Sequence, residues 1–409
     1  MTKKSYFVDL IQKGLALSNT LIVVVAARIT DWIEKGEIPE GYFNPGGRFS
    51  RVIVLSLVKD SPSKFAITHL CGASRSEFHS IGLISPFGII RTAGFDPHLV
   101  EHFLSRNWYF KQSQGERFSV RAYGDAISGV VAVLIARRLG CRSLASIHTT
   151  TEQFSLWPLK GSLKLQLLGY LESKARRFTH RFIDVLTPVY SPAIKGIAAA
   201  YHYKTVVVPN AIKLPANSVK HSYSCTKLLH LITVGRLIEG KTIAPLIDML
   251  DGRPEWQLTV IGNGPARDQL TKIIGDKGLA GQVSMIPRLD NAELLKSLKK
   301  YDVFVAHTKF EEIPKTVIEA GLAGLPIMLN LPSLPLPKEY EGAPIEWVDM
   351  QTSDYQRSLD RLLDRDLKTI GLQTRQHFEV IFDPDVAGKR MADLLLTDST
   401  PSTAAKVEL

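Results

Sequence analysis
Apolar runs alternate with helical patterns along almost the whole chain. In the first half, Thr20–Arg28, Arg51–Val58, Lys64–Cys71, Ser119–Ala122, Leu144–His148, Phe182–Pro188 and Thr205–Pro209 read as strands. Between the later runs, apolar residues recur at helical spacing over Ala126–Leu139, Ser162–Phe178 and Ser191–Tyr201. The pattern restarts at "KLLHLITVGR" (227–236). From there it predicts helix Ile243–Leu250, strand Trp256–Ile261, helix Ala266–Ile274, strand Val283–Ile286 and helix Ala292–Leu298. Strand Val303–Ala306, helix Lys315–Ala323 and a short strand at Pro326–Leu329 complete the set. Near-continuous apolar strands separated by helices describe parallel sheets covered on both faces. The expected fold class is α/β, with two doubly wound Rossmann-like domains facing across a cleft. The boundaries are 1–213 and 214–380, joined in the polar stretch Lys213–Thr226. A C-terminal helix and tail at 381–409 are expected to return toward the first domain.

Composition agrees with two domains, since 409 residues exceed what one core usually holds. The net charge of +10 is uneven: 27 basic and 14 acidic residues precede position 214, against 23 and 26 after it. Such an asymmetry suits domains with different partners, although surface charge also drifts without purpose. Cys71, Cys141 and Cys225 are too few and too scattered for a disulfide framework or a zinc site, which favours a reducing compartment. The apolar run Leu21–Ala27 is far short of a membrane span, and Asp9 and Lys13 interrupt any signal-peptide core. The chain is therefore expected to be cytoplasmic, without a spanning segment and without a nucleic-acid partner. The stretch "LKGSLKLQLLGYLESKARRF" (159–178) mixes leucines with five basic residues opposed only by Glu172. It suits a helix lying on the anionic inner face of a membrane, or an ordinary surface helix burying its leucines.

In open α/β sheets ligands bind beyond the carboxyl ends of the strands. The unusual residues fall there. Arg236 and Lys241, in "VGRLIEGK", follow the first strand of the second half and could stabilise the charge of a departing diphosphate. In "TVIGNGP" (259–265), Gly262 and Gly264 read more as a structural turn than as a phosphate cradle. In "KFEEIPKTVIEAGLAGLPIM" (309–328), Pro314 suits the start of a helix whose first amides, on Lys315, Thr316 and Val317, would offer an anion site. Glu319, one turn further in, could accept a pair of sugar hydroxyls, and Glu311 could reach a second sugar beyond the phosphates.

At these residues the chain resembles the retaining, nucleotide-sugar-dependent glycosyltransferases of the GT-B fold, of the family 4 or group 1 type. The similarity spans roughly 120–330 and rests on "GRLIEGK", "VIGNGP", "EEIPKTVIEAGLAGLPI" and "VVPNAI" (207–212). It implies a first domain that takes the acceptor and a second that takes the nucleotide-sugar donor. Arg236 and Lys241 would meet the donor diphosphate and the amides of Lys315, Thr316 and Val317 the phosphate, with Gly235 and Pro314 also on the donor-binding side. Glu319 would hold the ribose, Glu311 the transferred sugar, and Pro287 and Arg288 the nucleobase. His148, ending the strand in "ASIHTTTEQF", would approach the transferred sugar. "YFNPGGRF" (42–49) resembles a segment of some members, with no role assigned.

Three departures stand out. "AARITDWIEKG" replaces the usual Gly-Gly after the first strand, Glu311-Glu312-Ile313 replaces Glu-Gly-Phe, and Lys241-Thr242 replaces Lys-Gly. The expected activity is transfer of a hexose with retention to a glycan or lipid-linked acceptor, in cell-surface polysaccharide or glycolipid synthesis. No cofactor and no metal are expected. Asp364-Arg365-Asp366 and Asp383-Pro384-Asp385 follow no cleft strand and read as solvated or capping groups. The alternatives are a nucleotide-sugar epimerase of the same architecture and a catalytically silent sugar-nucleotide-binding protein.

Overall fold
The structure is a computed structural model that describes residues 18–34, 38–73, 75–108, 116–148, 163–223, 228–331, 335–349 and 354–397. Cys225, residues 149–154, the start of the basic leucine-rich stretch (159–162) and the Ser/Thr tail lie outside the described residues.

Two six-stranded sheets are present. The first contains β1 (Ser18–Val25), β2 (Arg51–Ser56), β3 (Arg75–Ser80), β4 (Glu116–Tyr123), β5 (Arg142–Ile147) and β6 (Val185–Pro188). The second contains β7 (Leu229–Val234), β8 (Trp256–Ile261), β9 (Val283–Ile286), β10 (Val303–Ala306), β11 (Ile327–Leu331) and β12 (Glu346–Asp349). Their orders, β3-β2-β1-β4-β5-β6 and β12-β11-β10-β7-β8-β9, are the same doubly wound order run twice. Every described pairing is parallel, with β1 between β2 and β4 and β7 between β8 and β10. The central strand β1 shows why: Leu21 to Val25 are fully buried, because helices cover both faces of the sheet. Beside it, Ile127–Leu139 buries every residue from Ile127 to Ala136, as a helix wedged between the sheet and a further helix must.

Three local expectations are corrected. Lys64–Cys71 is a helix, not a strand: Ser63 caps it by accepting from the Ala66 amide, Gly72 ends it, and Ile67, Leu70 and Cys71 face inward at helical spacing. Ser191–Tyr201 is not one helix but two 3-10 turns, Ser191–Gly196 and Ala199–Lys204, separated by an extended and buried Ile197. Thr205–Pro209 forms no full strand. It makes a single bridge to β6 and two further backbone bonds, Val206 to Leu186 and Val208 to Pro188, along that edge. The edge strands β3 and β12 carry little local signal: "RSEFHS" is largely polar, and "EWVD" is four residues long with an acidic group at each end.

The helix Pro384–Leu396 packs on the first domain. Met391, Ala392 and Leu395 join its core, Ser119 Oγ donates to the Leu395 carbonyl at 2.8 Å, and Arg142 donates to the Thr397 carbonyl at 3.0 Å. Here "YFNPGGRF" finds a role. Phe43 and Phe49 are buried, Asn44 ties its own loop by bonding both the amide and the carbonyl of Phe49, and Gly46 lies against Gly388 of the helix. A Cβ on Gly46 would meet the Gly388 carbonyl oxygen at 3.3 Å, and its φ of +60° also favours glycine.

Candidate functional site
The carboxyl ends of both sheets open on a cavity of about 520 Å³. Gly235, Arg236, Lys241, Glu311, Pro314, Lys315 and Thr316 line it from the second domain, and His148 and Lys195 from the first. Loop crossings build this wall. A Cβ on Gly262 would lie 1.9 Å from the Gly235 carbonyl oxygen, so the "GNGP" loop needs glycine for two strand-end loops to pass each other. The Gly235 amide donates to Ile261 at 3.0 Å and fixes that crossing.

Two lysines of the wall are paired with the carboxylates of Glu311 and Glu312. The Lys241 ammonium forms an ion pair with Glu312 and lies 5.7 Å from the centre of the Phe310 ring. Lys195 Nζ is 2.6 Å from Glu311 Oε2, a contact made from the first domain to the second. Glu312 occupies the place where the resemblance expects glycine, and its carboxylate pairs with one of the two cations that the resemblance assigns to the diphosphate.

The helix Lys315–Leu322 starts after Pro314, which is its N-cap. The Val317 amide donates to the Pro314 carbonyl at 3.0 Å, closing a tight first turn, and the Val317 side chain is buried. Thr316 Oγ1 donates to the Val234 carbonyl at 3.1 Å, so its hydroxyl anchors the helix to β7.

Glu319 is 1% exposed and does not line the cavity. Its carboxylate accepts from Asn291 Nδ2 at 3.1 Å and has Lys315 Nζ at 3.5 Å. Pro287 and Arg288 follow β9 as expected but line neither large cavity. Arg288 instead donates to the Glu34 carbonyl across the cleft at 3.2 Å.

His148 ends β5 and stacks on Tyr123 at 5.5 Å between ring centres, with the planes 8° apart. Arg121 lies 4.4 Å from the other ring partner, Tyr123. Burial and then the Arg121 charge push the His148 pKa down to about 4, against a weaker pull from Asp125. The imidazole is therefore neutral near pH 7, and its buried Nε2 has no hydrogen-bond partner among the described residues. Asp125 is itself held by His180 at 2.7 Å and Arg176 at 3.1 Å. Burial would raise its pKa, but these bonds outweigh burial and keep it low.

A second cavity, of about 510 Å³, shares His148, Asn210 and Lys315 with this region. Trp32, Tyr42 and Tyr123 form its aromatic wall, with Trp32–Tyr123 and Tyr42–Tyr123 ring centres 6.1 and 5.5 Å apart. Trp32 belongs to "AARITDWIEKG", the segment lacking the Gly-Gly pair. None of this wall, nor Lys195, could be picked out along the chain, because each contact joins residues distant in sequence. Asp366 and Asp383 are helix N-caps, each accepting two backbone amides. Among the described residues no three His, Cys, Asp or Glu side chains converge as a metal site would require.

Comparison with known proteins puts this geometry in context. Residues 224–332 match the family model of glycosyl transferases group 1. The chain is 22% identical over 234 residues to the alpha-monoglucosyldiacylglycerol synthase of Acholeplasma laidlawii, covering 52% of this chain and 58% of that protein. It is 29% identical over 98 residues to the lipopolysaccharide core biosynthesis glycosyltransferase LpsE of Rhizobium meliloti, covering 24% and 28%. The matched part thus spans less than two thirds of either relative. Over 92% of this chain, the fold matches 99% of Anabaena HepE solved in complex with UDP, with a TM-score of 0.63 at 14% identity. It likewise matches 98% of sucrose-phosphate synthase from Thermosynechococcus elongatus, with a TM-score of 0.65 at 14% identity. The family match falls within the second domain and the architecture extends over both: the chain has the two-domain GT-B fold, and its residues 224–332 are similar to the glycosyl transferases group 1.

Proposed function
We propose that the protein is a glycosyltransferase that moves a hexose from a nucleoside diphosphate to a glycan or lipid-linked acceptor, with retention of configuration. One observation carries this reading: Arg236, Lys241, Glu311, the start of the helix Lys315–Leu322 and a neutral His148 converge on one interdomain cavity. Cations and a helix N-terminus suit a diphosphate, and the carboxylate and imidazole suit hydroxyls. In the reaction the anomeric C–O bond to the diphosphate breaks as the acceptor hydroxyl adds on the same face. The hydroxyl proton passes to the departing phosphate oxygen. Arg236 and Lys241 stabilise the charge that grows on the diphosphate, and no metal ion is needed for that role. Glu311, held by Lys195, is read as a hydroxyl acceptor and not as a nucleophile.

The aromatic second cavity is the acceptor entrance in this reading, since sugar rings pack well on aromatic faces and it meets the first cavity at His148. The work would take place at the cytoplasmic face of a membrane, in surface polysaccharide or glycolipid synthesis. Among the described residues no helix is long and apolar enough to cross a membrane. The helix Leu163–Phe182 leaves Leu167 and Tyr170 more than half exposed, as an interfacial helix does.

The test is a thermal-shift screen of UDP, GDP, ADP and their hexose conjugates, followed by an assay for acceptor-dependent release of the nucleotide. A native-state ligand raises the melting temperature. UDP heads the screen because HepE is solved with it. Conversion of a nucleotide sugar without any acceptor would overturn the reading in favour of an epimerase.

A further inference from the structure
The turn Ser191–Gly196 follows β6 and so belongs by sequence to the first domain, yet Val189, Tyr190 and Ala193 pack in the core of the second. Its first residue is fixed there. Glu339, fully buried, accepts from the Ser191 amide and from Ser191 Oγ at 2.7 Å each, and the Lys338 amide donates to the same Oγ at 3.0 Å. Pro192 stiffens the next step of the turn. From this anchored base Lys195 reaches the cavity and places its ammonium 2.6 Å from Glu311 Oε2.

The pair is too exposed to be a large stability contribution: 58% of the lysine side chain and 20% of the glutamate side chain are accessible. Pairs of this kind contribute about 0–1 kcal/mol. Orientation is the more important effect. The terminal torsion of a glutamate is broad, and an ammonium bound to one oxygen narrows it. A carboxylate that must accept hydroxyls from a sugar gains most from being set in plane before the sugar arrives.

We propose that Lys195 is a positioning residue for the transferred sugar: it acts through Glu311, so that recognition of the hexose depends on a turn supplied by the other domain. This rests on the transferase reading above. Lys195 has no part in holding the nucleotide, whose contacts come from Arg236, Lys241 and the helix start. Its effect is therefore confined to the affinity that the hexose adds.

Isothermal titration of the full chain with UDP, GDP and ADP, each alone and as its glucose or mannose conjugate, measures that increment directly. The comparison uses wild type, Lys195→Met and Lys195→Arg. Lys195→Met should leave the nucleoside diphosphate affinity within about twofold and cut the hexose increment by about tenfold, or ~1.4 kcal/mol. Lys195→Arg, which keeps the charge, should restore most of it. An increment untouched in Lys195→Met, or an equal loss for the nucleotide with and without hexose, overturns the assignment while leaving the transferase reading intact. Failure of wild type to bind any of these ligands overturns both.

Discussion
Lys241 and Glu312 form an ion pair in the cavity wall, the lysine side chain 19% exposed and the glutamate 8%. On the function proposed above, Glu312 sets how much positive charge the site presents to a diphosphate. Glu312→Gln should raise nucleoside diphosphate affinity by about tenfold, ~1.4 kcal/mol. The gain should vanish when Lys241→Ala is added. Titration calorimetry of the single and double variants decides; a weaker or unchanged Glu312→Gln would mean that the pair does not oppose the ligand.

The same pairing ranks two cations. Arg236 is exposed in the cavity wall, whereas Lys241 already has a carboxylate partner. Arg236→Ala should lower turnover by roughly 10²–10³, by analogy with a lost oxyanion donor, and Lys241→Ala by less. Both should affect turnover more than nucleotide binding, because the charge grows toward the transition state. Near wild-type kcat in Arg236→Ala would remove it from the mechanism.

His148 links burial to pH. Its pKa, pushed down to about 4, lies below the ordinary value near 6.5. Above pH 6.5 neither the folded nor the unfolded state holds the proton, so nothing is lost. Between about 6.5 and 4 the unfolded state binds the proton first, and stability falls as pH drops. His148→Phe, which can keep the stack on Tyr123, should flatten melting temperature against pH in that window. An unchanged slope would show that the imidazole is protonated in the folded protein.

Acidic pairs outside the cleft offer a control for metal dependence. Asp366 accepts from the Lys368 and Thr369 amides and caps its helix. Asp366→Ala should lower the melting temperature slightly and leave transfer intact. Transfer should also survive EDTA. Loss of activity on chelation, restored by Mn²⁺, would transfer the diphosphate role from the arginine and lysine to a metal ion.

Membrane association is checked by flotation with liposomes of increasing anionic lipid content. Binding should rise with anionic lipid, fall with salt, and weaken when Leu167 and Tyr170 are both replaced by glutamate. Indifference to lipid charge would leave the helix Leu163–Phe182 as an ordinary surface element.

The sheets were legible because buried parallel strands carry their signal locally: "LIVVV" in β1 and "LITV" in β7 need no partner to be recognised. Edge strands β3 and β12 carry no such signal, since half of each faces water. Lys64–Cys71 misled through its phenylalanine and isoleucine, while the decisive features, the Ser63 cap and Gly72, lay just outside the run. In the site, the spacing of Arg236, Lys241 and Glu311 along strand ends was readable. The partners were not: Glu311 meets Lys195 from 116 residues away, and Glu339 meets Ser191 from 148. The Val317 amide, expected to meet a phosphate, is occupied for a local reason, the tight turn after Pro314.

The helix Pro384–Leu396 has a consequence for how the protein is made. Its Met391, Ala392 and Leu395 complete the hydrophobic interior built by residues 18–208, so the domain that leaves the ribosome first is the last to be finished. At about 5–20 residues per second, the intervening second domain takes on the order of ten to forty seconds to synthesise. Through that interval the nascent first domain carries an uncovered apolar groove beside Phe43 and Phe49. A cut in the gene between the two domains would leave that groove uncovered, because the segment that fills it is encoded at the far end.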